Sequence, residues 1–249
     1  MNSVASTLTG RRVLLTRSAE DCAEWAQSLE RRGARAVLLP CIHSEPIDTP
    51  ALRAGLITAL AAADWLVFTS RRGVDAFAQL TRTTLPERTR VAVVGPATAA
   101  AADARLGRID LVGRDGTAAG LAATLCADGG LASHRNVLLA LAANAGDVLE
   151  RTLAAAGARC TRFDVYRTVP APQAARKRAS STLGADDVVF ASPTAVDGFL
   201  HQIEIDAPLA VYTIGPSTSA AARALGLVVT AEAREPSLEG LLEAMQWRN

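Results

Sequence analysis

Lysine is almost missing from this chain. Of its 26 basic residues one, Lys177, is a lysine and the rest are arginines. Lys177 stands in Arg176-Lys177-Arg178 with no glycine loop before it, which excludes a Walker A phosphate loop. No apolar stretch surrounds it to lower its pKa, which argues against a Schiff-base nucleophile. Charge of one sign is also lacking: 26 basic and 25 acidic residues give a net charge of +1, too little for a bulk nucleic-acid binder. Aromatic residues make up only 4%. The three histidines, His43, His134 and His201, are isolated in sequence, so no metal site is expected. Cys22, Cys41, Cys126 and Cys160 form no CxxC pair; their small neighbours predict packed, reduced thiols. The alanine-rich stretches are broken by Asp64, Asp128 or Asp147, and none approaches the ~18–20 apolar residues needed to span a bilayer. Arg11, Arg12 and Arg17 leave no room for a signal-peptide apolar segment. GxGxxG, GxSxG and HExxH patterns are absent, which weakens dinucleotide, α/β-hydrolase and zincin readings. The expectation is a cytoplasmic protein that engages neither nucleic acid nor membrane.

What is present is a regular alternation. The 249 residues, 49% hydrophobic, can bury one large core or two domain-sized ones. Short apolar runs predict strands at residues 13–15, 37–39, 66–68, 91–94, 109–112, 137–139, 160–166, 188–190, 211–214 and 228–229. Helical segments lie between nearly all of them. Ser18 caps one, with Asp21 three residues on and Gly33 closing it; Thr49 and Pro50 open another. Continuous rather than alternating apolar runs mean strands buried on both faces, and such strands joined by helices form parallel sheets.

The chain also repeats itself. Phe68, Ser70 and Phe77 recur as Phe190, Ser192 and Phe199, 122 residues on. Gly95-Pro96 and Thr98 recur as Gly215-Pro216 and Thr218, and Gly120-Leu121 as Gly240-Leu241, at an offset of 120. Val13 with Gly33-Ala34-Arg35 recurs as Val137 with Gly157-Ala158-Arg159, at 124. Agreement across four blocks predicts an internal duplication: an α/β protein of two similar domains, each with a five-stranded parallel sheet flanked by helices.

Ligands of open parallel sheets lie at the carboxyl ends of strands, near helix N-termini. Four segments there have the right form, carrying Ser70, Thr98, Ser192 and Thr218. Hydroxyls and helix-end N–H groups facing outward would suit a multiply charged anion, although many such residues serve only as helix caps. Asp186 and Asp187 sit at a strand start, the wrong end for a site, and are expected in solvent. Tyr166, one of two tyrosines, lies just before Pro170 and Pro172, where its hydroxyl could face a cleft as a proton donor or simply lie at a domain interface.

Taken in order, the segments around Arg17, Ser70, Thr98, Leu121, Tyr166-Arg167-Thr168, Ser192 to Phe199, Thr218 and Glu235 to Leu242 resemble the uroporphyrinogen-III synthase family. The likeness runs from about residue 11 to 245. It implies two α/β domains joined by a two-stranded β linker, with residues 1–36 and 172–249 in one, 46–160 in the other, and 37–45 and 161–171 as linker strands. It implies cyclisation of hydroxymethylbilane to uroporphyrinogen III, with loss of water and inversion of the last pyrrole ring, by a monomer using no metal or organic cofactor. Tyr166 would be catalytic, as proton donor to the leaving hydroxyl; Arg17, Ser70, Thr98, Ser192 and Thr218 would bind substrate carboxylates. The family often carries a basic, glycine-containing turn where this chain has Leu139 to Asp147 without an arginine. That departure keeps open a non-catalytic, tetrapyrrole- or anion-binding relative of the synthase.

Overall fold

Leu14 is flanked in register by Val37 on one side and Val188 on the other, and Val188 in turn by Val211. That row of apolar residues runs across the first of two sheets. The computed structural model describes residues 8–127 and 135–246, so His134 and Asp128 lie outside the described residues. The chain divides into two compact units, Met1–His43 with Val169–Asn249, and Ser44–Thr168.

In the first unit the strands Arg35–Leu38, Arg12–Leu15, Asp187–Phe190, Ala210–Thr213 and Val229–Glu232 lie in that order, all parallel. Their side chains alternate between two cores. Val13, Leu15, Val189 and Tyr212 pack with Trp25 and Leu241 on one face; Leu14, Val188, Phe190 and Val211 pack with Val196 and Phe199 on the other. Burial on both faces is why these runs are continuously apolar.

The second unit repeats the order. Arg159–Pro170, Asn136–Ala142, Trp65–Phe68, Arg90–Val93 and Leu111–Val112 are neighbours in sequence of position, again with a core on each face. Corresponding pairs share register: Arg12 faces Arg35 and Asn136 faces Arg159, each residue 124 apart from its counterpart. The duplicated aromatics share geometry too. Phe68 and Phe77 meet edge to face with centroids 5.5 Å apart, Phe190 and Phe199 at 5.4 Å.

Four expectations need correction. The second sheet has six strands, not five, because Ile42–Pro46 joins its edge beside Arg159–Pro170. Arg159–Pro170 thus has a neighbour on both sides. The strand expected at 109–112 begins only at Leu111, because Asp110 turns its carboxylate to the Val91 N–H at 2.7 Å. Asp187 is fully buried, not solvated. Arg11 grips its two oxygens at 2.6 and 2.8 Å and also donates to the Tyr212 hydroxyl at 2.9 Å. Burial works against the charge of Arg11, but Asp187 and then Tyr212 outweigh it and raise its pKa above the ordinary value. Three of the four cysteines are packed as expected, wholly or in part, while Cys126 is exposed.

Candidate functional site

Helix Arg71–Thr81 places the first of the expected site residues. Val74, Phe77 and Leu80, spaced for one helical face, are buried against the sheet. That docking fixes the helix start just past the carboxyl end of strand Trp65–Phe68. Ser70 is the N-cap in extended conformation, and its Oγ accepts the Gly73 N–H at 3.0 Å. The same oxygen lies 3.0 Å from the Tyr166 hydroxyl.

Tyr166 reaches that position through an irregularity in its strand. Leu141 pairs with Asp164 but Ala142 pairs with Tyr166, so Val165 is extra. A bulge of this kind re-aims a side chain and lets successive residues face the same way. Val165 and Tyr166 accordingly both pack into the core around Phe68 and Phe77. The Ala143 N–H donates to the Tyr166 carbonyl at 2.9 Å and holds the bulge. Tyr166 is buried, 7% exposed.

Thr98 occupies a different place from Ser70. The N-cap of helix Pro96–Leu106 is Gly95, with no side-chain cap bond, and Thr98 is the third helical residue. Its N–H turns back to the Gly95 carbonyl at 3.1 Å, and its side chain is nearly buried. The expected outward hydroxyl and free amide are therefore not seen there in that form.

The first unit holds the repeats of these positions. Ser192 caps helix Pro193–Gln202 and accepts the Ala195 N–H at 3.2 Å. Thr218 is the third residue of helix Pro216–Ala224, again buried behind a glycine N-cap. Arg17 follows strand Arg12–Leu15; its guanidinium lies 4.5 Å from the Trp25 ring centre and 3.1 Å from Asp21. Its Nε is buried with no hydrogen-bond partner among the described residues.

Two features were missed in the sequence. Beside Thr218, the hydroxyls of Thr213 and Ser219 are 2.6 Å apart, and Ser219 donates to Glu232. The repeat could have flagged this chain, because the other half has Val93, Ala99 and Val112 at those places, 120 residues earlier. The second is Arg162. The turn after Leu141 has no arginine of its own, but Arg162 donates to the carbonyls of Ala142 and Ala145 at 3.2 and 3.1 Å and to Asp164 at 2.9 Å. Neither described histidine takes part: His201 meets the Ala171 carbonyl at 2.9 Å and His43 is exposed.

These sheets flanked by helices, with hydroxyl-bearing helix starts at the carboxyl ends of parallel strands, define a duplicated α/β protein. The family model for uroporphyrinogen-III synthase HemD matches residues 23–243, and the chain belongs to that family. A provisionally named uroporphyrinogen-III synthase of Methanothermobacter thermautotrophicus is 30% identical over 221 residues, 82% of this chain and 85% of the relative. The chloroplastic uroporphyrinogen-III synthase of Oryza sativa subsp. japonica is 28% identical over 242 residues, 94% of this chain and 79% of that one. Among solved structures, the uroporphyrinogen-III synthetase of Helicobacter pylori is similar in fold, with a TM-score of 0.56 at 17% identity over 96% of this chain and all of that one.

Proposed function

We infer that this chain cyclises hydroxymethylbilane to uroporphyrinogen III, with loss of water and inversion of the last pyrrole ring. Family membership carries the reaction; the Ser70–Tyr166 hydrogen bond is the observation in the fold that supports a catalytic member over a binding-only one. The chemistry makes a specific demand. Loss of the terminal hydroxyl leaves an azafulvene cation, whose direct closure gives the symmetric isomer I. Isomer III requires attack at the substituted carbon of the last ring and a spiro intermediate. Most of the catalytic work is then orientation of a flexible chain. The remainder is a proton for the leaving hydroxyl.

Tyr166 is the proposed donor. Arg17, Thr98, Ser192 and Thr218, with helix-end amides near them, are proposed to take substrate carboxylates, and Ser70 completes the site at Tyr166. Arg17 has a donor to spare at its unpartnered Nε. Thr98 and Thr218 need a small local opening, since both are nearly buried. Residues 1–36 with 172–249 and residues 46–160 are proposed as the two α/β domains, with 37–45 and 161–171 as linker strands. The working form is proposed to be a cytoplasmic monomer needing no metal or organic cofactor; no described helix is long and apolar enough to cross a membrane.

Tyr166→Phe tests the acid role. It removes one oxygen from a packed ring, so melting behaviour should barely change. Formation of isomer III should slow by about 100-fold or more, the scale of general acid catalysis. Unchanged turnover would remove Tyr166 from the mechanism.

A further inference from the structure

We propose that Ser70 is a positioning residue for Tyr166: it donates its hydroxyl hydrogen to the Tyr166 oxygen and so turns the phenolic O–H outward. This inference rests on the reading of Tyr166 as the acid, and it gives Ser70 a role other than holding a substrate carboxylate.

A serine hydroxyl has one hydrogen and two lone pairs. The Gly73 N–H takes one lone pair at 3.0 Å. Among the described residues, the other partner of Oγ is the Tyr166 hydroxyl, also at 3.0 Å, and either atom could donate. If Tyr166 donated, its proton would be held back from any substrate and the Ser70 hydrogen would have no protein acceptor. If Ser70 donates, each hydrogen has a use. The Tyr166 oxygen accepts one hydrogen bond, and its own hydrogen is left for a ligand. The Gly73 N–H, at the positive end of an 11-residue helix, polarises Oγ–H in that same direction.

The duplication supplies an internal comparison. Ser192 repeats the cap of Ser70, but the counterpart of Tyr166, 124 residues earlier, is Ile42, packed near Phe190 and Phe199. The cap is therefore kept without a phenol in one half and used with one in the other. Gly73 differs in the same sense: its counterpart 122 residues on is Ala195. A Cβ at Gly73 would lie 3.0 Å from the Ala140 carbonyl and 3.3 Å from Ser70 Oγ. Absence of that Cβ lets the helix start approach the strand that neighbours Tyr166.

In the first chemical step the C–O bond breaks with its electron pair going to oxygen, and that oxygen takes the phenolic proton. Water leaves, and the azafulvene cation and the Tyr166 phenolate remain. The bond from Ser70 is then charge-assisted and stronger than before transfer. An interaction that strengthens toward the transition state raises kcat with little effect on KM.

Three variants of Ser70 and one double mutant test this. Ser70→Ala should lower kcat for isomer III by about 10- to 100-fold, the size of a hydrogen bond to a developing charge, with KM nearly constant. Ser70→Asp keeps an acceptor for the Gly73 N–H, and hence the cap, but ionised it has no hydrogen to give. It should lose as much kcat as alanine while melting close to wild type. Ser70→Thr, which keeps both functions, should recover most of the loss. In a Tyr166→Phe background, Ser70→Ala should cost nothing more. A raised KM with kcat intact would make Ser70 a carboxylate ligand and overturn the proposal, as would additive losses in the double mutant. If Tyr166→Phe is slow but Ser70→Asp runs at the wild-type rate, only the positioning role falls. If Tyr166→Phe runs at the wild-type rate, the acid reading falls and this role with it.

Discussion

At the residue scale, neighbours in sequence have opposite fates. Asp186 and Asp187 adjoin, yet Asp186 pairs with Arg12 at the surface and Asp187 with Arg11 in the core. The Arg12 hydrogen bond draws the Asp186 carboxyl below the ordinary value, but both side chains are more than 40% exposed, so solvent screens the pair. Removing Asp187 leaves Arg11 without its buried partner. Asp187→Ala should cost about 3 kcal/mol or more and Asp186→Ala less than about 1 kcal/mol. Urea midpoints at a common m-value would check both; equal losses would contradict this account. The sequence hid this difference because alternation decides it: odd-numbered Asp187 points to the Val189 and Tyr212 face, where an arginine waits 176 residues away. The Ser70–Tyr166 contact was hidden likewise. Each residue could be singled out for its place before a helix or a break, but a separation of 96 residues and a one-residue bulge bring them together.

At the element scale, caps and glycines do most of the positioning, and these were legible. Ser18, Thr49, Ser70 and Ser192 all cap the helices that follow them, because short side chains that can accept the N3 amide are preferred there. Thr98 and Thr218 were not separable from caps by composition; only the register of the helix start places them one turn inward. Helix Arg71–Thr81 ends on Arg82 with φ of 47°, a left-handed conformation that favours glycine. Arg82→Gly should therefore stabilise the protein by about 0.5–1 kcal/mol, since the strain of the αL residue outweighs the added freedom of the unfolded chain. Thermal unfolding measures it, and a lower midpoint would count against the strain. Strand Ile42–Pro46 escaped sequence patterning as a sheet member because its residues, mostly polar and none fully buried, carry an edge signal only.

At the scale of the whole molecule, duplication was the most legible property. Offsets of 120 to 124 in four blocks became two sheets of matching strand order and register. What the repeat does not carry is function: the phenol, the close approach at Gly73 and the Glu232 network each occur in one half alone. Divergence of equivalent places is where a duplicated fold acquires a site. The direct test is the product made by the purified wild-type protein from hydroxymethylbilane, generated in a coupled reaction from porphobilinogen, with isomers separated after oxidation. Uroporphyrin III as the dominant isomer is the predicted result; isomer I alone, at the rate seen without the protein, would contradict it.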